Sequence, residues 1–224
     1  MRSVRACPVP DFDHHEGMGG LLLIHGGLWE EGMDAARFWR QPGIVAALEG
    51  RGFGVLAPDR EYRAASWASE ASHLADALPG APVTVVAGSN GCSAAVRLAL
   101  SCPGAVSGLV LAWPATAGDP VVDARDRAQL AAQAAPDEVI EALLSGRPLR
   151  GVTDEELGKL GMPAGVLPSA AANPFHQRMT VDALLGLLPG ASELPACPEP
   201  PRPEFPPYLE TFADAVAGFA ARAS

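Results

Sequence analysis

The residues best placed for chemistry lie in one stretch, where the apolar run Val83 to Val86 passes through Ala87, Gly88, Ser89, Asn90 and Gly91 into a run of small residues from Cys92 to Leu100. A strand followed by a tight turn and a helix lifts Ser89 to a helix N-terminus, where free backbone N–H groups favour negative charge. The N–H of Asn90 can then stabilise an oxyanion that develops on a substrate carbonyl attacked by Ser89. A serine hydroxyl is a weak nucleophile until a base takes its proton. Histidine suits that role because it titrates near neutrality and can return the proton to a leaving group. The chain has five histidines, namely His14, His15, His25, His73 and His176. Taken alone, the small-residue turn would also serve an ordinary strand-to-helix connection.

The stretch resembles the nucleophile elbow of the α/β-hydrolase superfamily, whose usual string is G-x-S-x-G. The turn is so sharp that the residues two before and two after the serine must be small, which Ala87 and Gly91 satisfy, Ala87 replacing the commoner glycine. Leu21 to Trp29, reading LLLIHGGLW, is similar to the His-Gly motif after an early central strand of that family. By that resemblance the N–H of Gly27 is the second oxyanion donor, Leu28 belongs with it at the substrate, and His25 is structural. Trp29 and Trp113 are expected to line an apolar acyl pocket, ordinary core packing being the alternative.

The second half resembles the same family with two departures. In the segment from Met162 to Ala191, the register puts Asn173 where the triad acid belongs. In the segment from Glu193 to Phe219, Glu199 stands where the triad histidine belongs, and no histidine follows His176. The resemblance therefore implies a degenerate triad. His176 is the histidine expected on the loop face of the site, and it is expected to take the base role while Asn173 orients a neighbouring group. The alternative is Glu199, desolvated among prolines, acting as base itself. Asp119 reads as a helix-start residue, and Glu30, Glu31 and Asp34 as solvated surface, so neither a metal nor a cofactor is expected.

The elements that must position these residues alternate short apolar runs with longer amphipathic ones, the pattern of a parallel sheet flanked by helices. Strands are expected at Leu21–His25, Phe53–Ala57, Pro82–Ala87, Gly108–Trp113, Ala164–Pro168 and near Glu193. Helices are expected at about Asp34–Leu48, broken near Pro42, then at Trp67–Leu78, Cys92–Leu100, Val181–Leu188 and Tyr208–Arg222. Residues from about Asp119 to Gly161 break this rhythm and read as a small helical, cap-like insertion. With little chain before Leu21, the antiparallel strands that open the family's fold are expected to be short or absent. The 224 residues read as a single domain, of which 48% are hydrophobic. A formal net charge of -10 argues against nucleic acid and anionic membrane as partners. Cys7, Cys92, Cys102 and Cys197 lack metal or redox spacing. No apolar run approaches the roughly 20 residues of a membrane helix, and no signal peptide is recognisable, so a cytoplasmic location is expected.

The fold expected is thus α/β, a mostly parallel sheet with helices on both faces. The function expected is acyl transfer or hydrolysis of a small ester or thioester, free or carrier-bound, through an acyl-Ser89 intermediate. A degraded relay would favour activated thioesters and acyl transfer over hydrolysis. The competing reading is a descendant that binds a small molecule without an acyl-enzyme, and a weaker one is an interaction scaffold.

Overall fold

A computed structural model describes residues 19–170 and 172–223. Cys7, His14, His15 and any strands ahead of Leu21 lie outside them. Among the described residues six strands form one sheet: β1 (Gly20–Ile24), β2 (Gly54–Leu56), β3 (Val83–Gly88), β4 (Val106–Ala112), β5 (Ala164–Leu167) and β6 (Ser192–Glu193). The strand order is β2-β1-β3-β4-β5-β6 and every pairing is parallel. Such a sheet needs cover on both faces, which is why its central strands read as unbroken apolar runs. All six residues of β3 are buried.

One face is covered by α2 (Trp67–Ala75), α3 (Gly91–Ser101) and α7 (Arg178–Leu187), together with the three helices of residues 119–161. Those three are α4 (Pro120–Ala132), α5 (Asp137–Leu144) and α6 (Asp154–Leu157). The other face is covered by a π-helical turn (Ala36–Arg40), α1 (Ile44–Glu49) and the C-terminal α8 (Leu209–Ala223). The helix expected across 34–48 is split in two, as Pro42 dictates, and Gly43 at φ 87° starts the second piece. Small side chains on α3, including Ala94, Ala95 and Ala99, are fully buried and let that helix lie close to the strands.

The helices of 119–161 are tied to the body by polar contacts. Arg97 on α3 pairs with Glu156 at 2.6 Å. Trp67 Nε1 donates to Leu143 O at 2.9 Å, and Gln129 Nε2 donates to Leu28 O at 3.0 Å. Within the segment itself, Arg150, 1% exposed, reaches Asp126 at 2.6 Å and Asp123 at 3.2 Å on α4. Among the described residues, no helix is long and apolar enough to cross a membrane.

The chain runs outward from β1 to β2, then crosses back to β3 on the other side of β1. The side on which successive strands are added therefore reverses between β1 and β3, while the strands themselves stay parallel. The crevice beyond the carboxyl ends of those two strands is where open parallel sheets hold ligands, and both motifs picked out from the sequence end there.

Candidate active site

Ser89 follows β3 at φ 53°, a left-handed conformation that costs a residue with a Cβ about 1–3 kcal/mol. Packing on all sides enforces it. Ser89 N–H donates to Ala112 O at the end of β4, 3.0 Å away. A Cβ on Gly91 would stand 2.5 Å from His25 O and 2.8 Å from Ile24 O, so the first turn of α3 can press on the end of β1 only as glycine. A Cβ on Gly26 would lie 3.0 Å from Ser89 Cβ, which shows how closely the strap after β1 passes the serine.

The loop after β5 brings His176 to that hydroxyl. Ser89 Oγ and His176 Nε2 are 2.8 Å apart. The histidine is set by a local turn in which Asn173 Oδ1 accepts from Phe175 N–H at 3.0 Å and Asn173 O accepts from His176 N–H at 3.1 Å. Thr116, buried after β4, anchors the loop from outside. Its N–H donates to Phe175 O and its Oγ1 accepts from Gln177 N–H, both at 2.8 Å.

The loop after β6 brings Glu199 to the far side of the same ring. His176 Nδ1 lies 2.6 Å from Glu199 Oε1. That oxygen also accepts from Asn173 Nδ2 at 2.7 Å and from Ser169 Oγ at 3.2 Å. Asn173 Nδ2 and His176 Nδ1, 2.9 Å apart, are two donors converging on one acceptor. Glu199 Oε2 faces Arg202 Nε at 2.9 Å as an ion pair without hydrogen-bond alignment. Burial pushes the Glu199 carboxyl up, but the hydrogen bond and charge of His176, with the Asn173 amide, outweigh it and hold the group at about 2. A carboxylate on Nδ1 fixes the imidazole with Nδ1 protonated and Nε2 free to accept the serine proton. Ser89, His176 and Glu199 thus form a continuous hydrogen-bonded series.

The cavity over Ser89 measures about 180 Å³ and is lined by Gly27, Leu28, Asn90, Thr116, Phe175 and His176, with Arg125, Asp126 and Gln129 reaching in from α4. Arg150 Nη1 also donates to Asn90 Oδ1 at 3.3 Å, joining the elbow to α4. The Arg125 guanidinium lies 4.0 Å from the centre of the Phe175 ring. Burial pushes the thiols of Cys92 and Cys197 up, the latter to about 12, so neither offers a thiolate near neutrality.

The structure therefore gathers Ser89, His176, Glu199, Asn173, Gly27, Leu28 and Asn90 at one place, and it corrects other expectations. Glu199 is held against Nδ1 of His176, with the ring between it and the serine, so it is not placed to act as the base itself. Asn173 reaches both loops through one side chain, with Nδ2 on Glu199 Oε1 and Oδ1 on Phe175 N–H beside His176. Trp113 is fully buried on the α8 side, where Nε1 donates to Cys197 O at 2.6 Å and the ring stacks on Phe212. Its φ of 48° is the cause, because the left-handed turn keeps Trp113 on the same side as Ala112 instead of alternating. Trp29 lines a separate cavity of about 270 Å³ behind the strap, with Nε1 donating to Ala64 O at 3.0 Å. Asp119 caps α4, accepting from Val121 and Val122 N–H at 3.0 Å. Sequence reasoning missed Ser169 and Arg202 at Glu199, and Arg60 and Arg150 behind the two turns. Nothing in their local sequence marks them.

No family profile matches the chain, and no curated protein matches it in sequence. Solved structures match it in fold. A protein described as a non-heme bromoperoxidase, BpoC from Mycobacterium tuberculosis H37Rv, superposes with a TM-score of 0.69 at 16% identity, covering 95% of this chain and 100% of that one. The meta-cleavage product hydrolase CumD from Pseudomonas fluorescens IP01 gives 0.67 at 17% identity over 92% of each chain. The 2-hydroxy-6-oxo-6-phenylhexa-2,4-dienoate hydrolase from Rhodococcus sp. strain RHA1 gives 0.66 at 16% identity, over 92% of this chain and 90% of that one. Identities this low make the likeness one of fold.

Proposed function

The chain has the α/β-hydrolase fold, and on that premise we propose that it is a serine hydrolase acting on a small ester or thioester through an acyl-Ser89 intermediate. The observation that carries this reading is the pair of distances at His176, 2.8 Å from Nε2 to Ser89 Oγ and 2.6 Å from Nδ1 to Glu199 Oε1.

In the reaction, Ser89 Oγ attacks the substrate carbonyl carbon while its proton passes to His176 Nε2. The carbonyl oxygen becomes an oxyanion held by the N–H groups of Gly27 and Asn90. Glu199 stabilises the imidazolium, which then protonates the leaving alkoxide or thiolate as the carbon–heteroatom bond breaks. A water molecule, deprotonated by the same nitrogen, attacks the acyl-serine and releases the carboxylic acid. With a base able to activate water, hydrolysis is favoured over acyl transfer, which only a degraded relay would favour. The cavity of about 180 Å³ and its polar rim favour a short acyl group.

The test is a panel of p-nitrophenyl esters from acetyl upward, with an acetyl thioester, run on wild type beside Ser89→Ala. Short acyl groups are expected to turn over best, with turnover lost in the variant and a fluorophosphonate bound at Ser89. Equal turnover in Ser89→Ala, or resistance of folded wild type to the fluorophosphonate, would contradict the reading.

A further inference from the structure

The strap His25-Gly26-Gly27 is a turn whose backbone carbonyls all point to one cation. Arg60 Nη1 lies 3.1 Å from His25 O, 3.1 Å from Gly26 O and 2.6 Å from Gly27 O. Its remaining donors, Nε and Nη2, are both taken by Glu70, the Nη2 bond measuring 2.9 Å. The side chains of this pair are 8% and 2% exposed. The Arg60 backbone N–H donates to His25 Nε2 at 3.0 Å, so the imidazole must carry its proton on Nδ1, which donates to Gly26 O at 2.8 Å. Burial, then the charge of Arg60, holds the His25 pKa below its ordinary value and keeps the ring in that neutral form. Further along, Trp29 Nε1 fastens the strap to Ala64 O of the same loop.

Three successive carbonyl oxygens converging on one point repel one another unless a cation sits among them. The strap also needs φ 87° at Gly27 and 51° at Trp29, so the turn has little local preference of its own. In a trans peptide the C=O and N–H point in opposite directions. Fixing Gly26 O and Gly27 O on Arg60 therefore turns the N–H groups of Gly27 and Leu28 away from it, and both residues are among those that line the Ser89 cavity. A cation hydrogen-bonded to the oxygen end of a peptide also polarises its N–H end, making it a stronger donor.

Resting on the acyl-serine reading, we propose that Arg60 is a positioning residue for the oxyanion site. Locked by Glu70, it holds the strap's carbonyls so that the Gly27 N–H meets the negative oxygen as that charge forms. With Nη1 on the strap carbonyls and Nε and Nη2 on Glu70, the guanidinium is turned to the protein, and Arg60 is not among the residues that line the Ser89 cavity. It acts through the backbone, and its loss should raise the barrier without weakening ground-state binding.

The test uses p-nitrophenyl acetate and a trifluoromethyl ketone, which traps the serine as a charged tetrahedral adduct. Arg60→Met leaves Glu70 buried without its partner, so the informative variants are Arg60→Lys, which keeps the charge and loses the fork, and the double variant Arg60→Met/Glu70→Leu, which removes both charges. For the double variant, kcat is expected to fall about 10²–10³-fold with KM within about twofold. Affinity for the ketone should fall in parallel with kcat/KM, while thermal unfolding stays cooperative. Arg60→Lys should lose about tenfold in kcat in the same pattern. Full kcat in either folded variant, or loss of kcat with undiminished ketone affinity, would overturn the proposal. A double variant that does not fold leaves the decision to Arg60→Lys. Wild type that neither turns over the ester nor binds the ketone would sink the acyl-serine reading instead, an outcome distinct from failure of the clamp.

Discussion

The elbow after β3 and the pair of loops after β5 and β6 meet at one hydroxyl, yet they are built by different rules. In the proposed reaction the elbow contributes through its backbone. Ser89 at φ 53° and Gly91 pressed against His25 O are required by the path of the chain. Few residue types fit, and the sequence shows it. In that reaction the loops contribute through side chains reaching a common point. There His176 comes from the β5 loop and Glu199 from the β6 loop, the reverse of the order that the family register led us to expect. A relay of side chains needs an imidazole between a hydroxyl and a carboxylate, and either loop can supply either partner if the distances close. Backbone-built parts of a site are held to their sequence pattern, whereas side-chain parts can exchange roles.

That contrast can be broken at several points. Ser89→Ala and His176→Ala should each lower kcat by about 10⁴–10⁶-fold with the fold retained, measured as pre-steady-state and steady-state ester hydrolysis. Gly91→Val should instead be lost as a protein, because its Cβ collides with two backbone oxygens; soluble expression and thermal unfolding will tell the two kinds of failure apart. Glu199→Gln should cost about 10²–10⁴-fold in kcat, since a neutral amide no longer stabilises the imidazolium or fixes its tautomer. Asn173→Ala should cost less, about tenfold, through looser placement of His176 and Glu199. A larger loss in Asn173→Ala than in Glu199→Gln would assign the orienting role to the amide.

A further variant separates core from pocket. Trp113→Ala should destabilise by about 3–5 kcal/mol, as removal of a fully buried ring does, while kcat/KM per folded molecule changes little. A selective loss of activity on bulky acyl groups would return Trp113 to the pocket.

The smallest effect expected is on stability against pH. The folded pKa of Glu199, about 2, lies below the ordinary value of 4.5. Its stabilisation is therefore full above 4.5 and is lost as pH falls from there through 2. His25 is likewise depressed from 6.5, so its contribution starts to fade below 6.5, as the unfolded chain takes up a proton that the folded strap refuses. In Glu199→Gln, denaturant melts between pH 4.5 and 2 should show a shallower decline than wild type. Parallel declines would mean that the carboxylate is not the stabilised group.

Much of the frame was legible because parallel strands leave apolar runs and turns leave glycine. The runs at Leu21, Pro82 and Ala164 gave strands within a residue or two of those observed, and even the two-residue β6 fell at Glu193. The pairing of His176 with Glu199 was not legible, because 23 residues separate them and only the packing of two loops brings them together. Arg60 was silent for the same reason, its carbonyl partners lying 33 to 35 residues earlier. Trp113 misled because alternation along β4 puts it on the wrong face, and the left-handed residue that breaks the alternation is the tryptophan itself.

The most direct measurement is the acylation of Ser89 followed by quenched-flow mass spectrometry with p-nitrophenyl acetate. Wild type should carry the acetyl group on the peptide containing Ser89 within the first turnover. His176→Ala should acquire it at least about 10³-fold more slowly. Acetylation of another residue, or equal rates in the two proteins, would contradict the account.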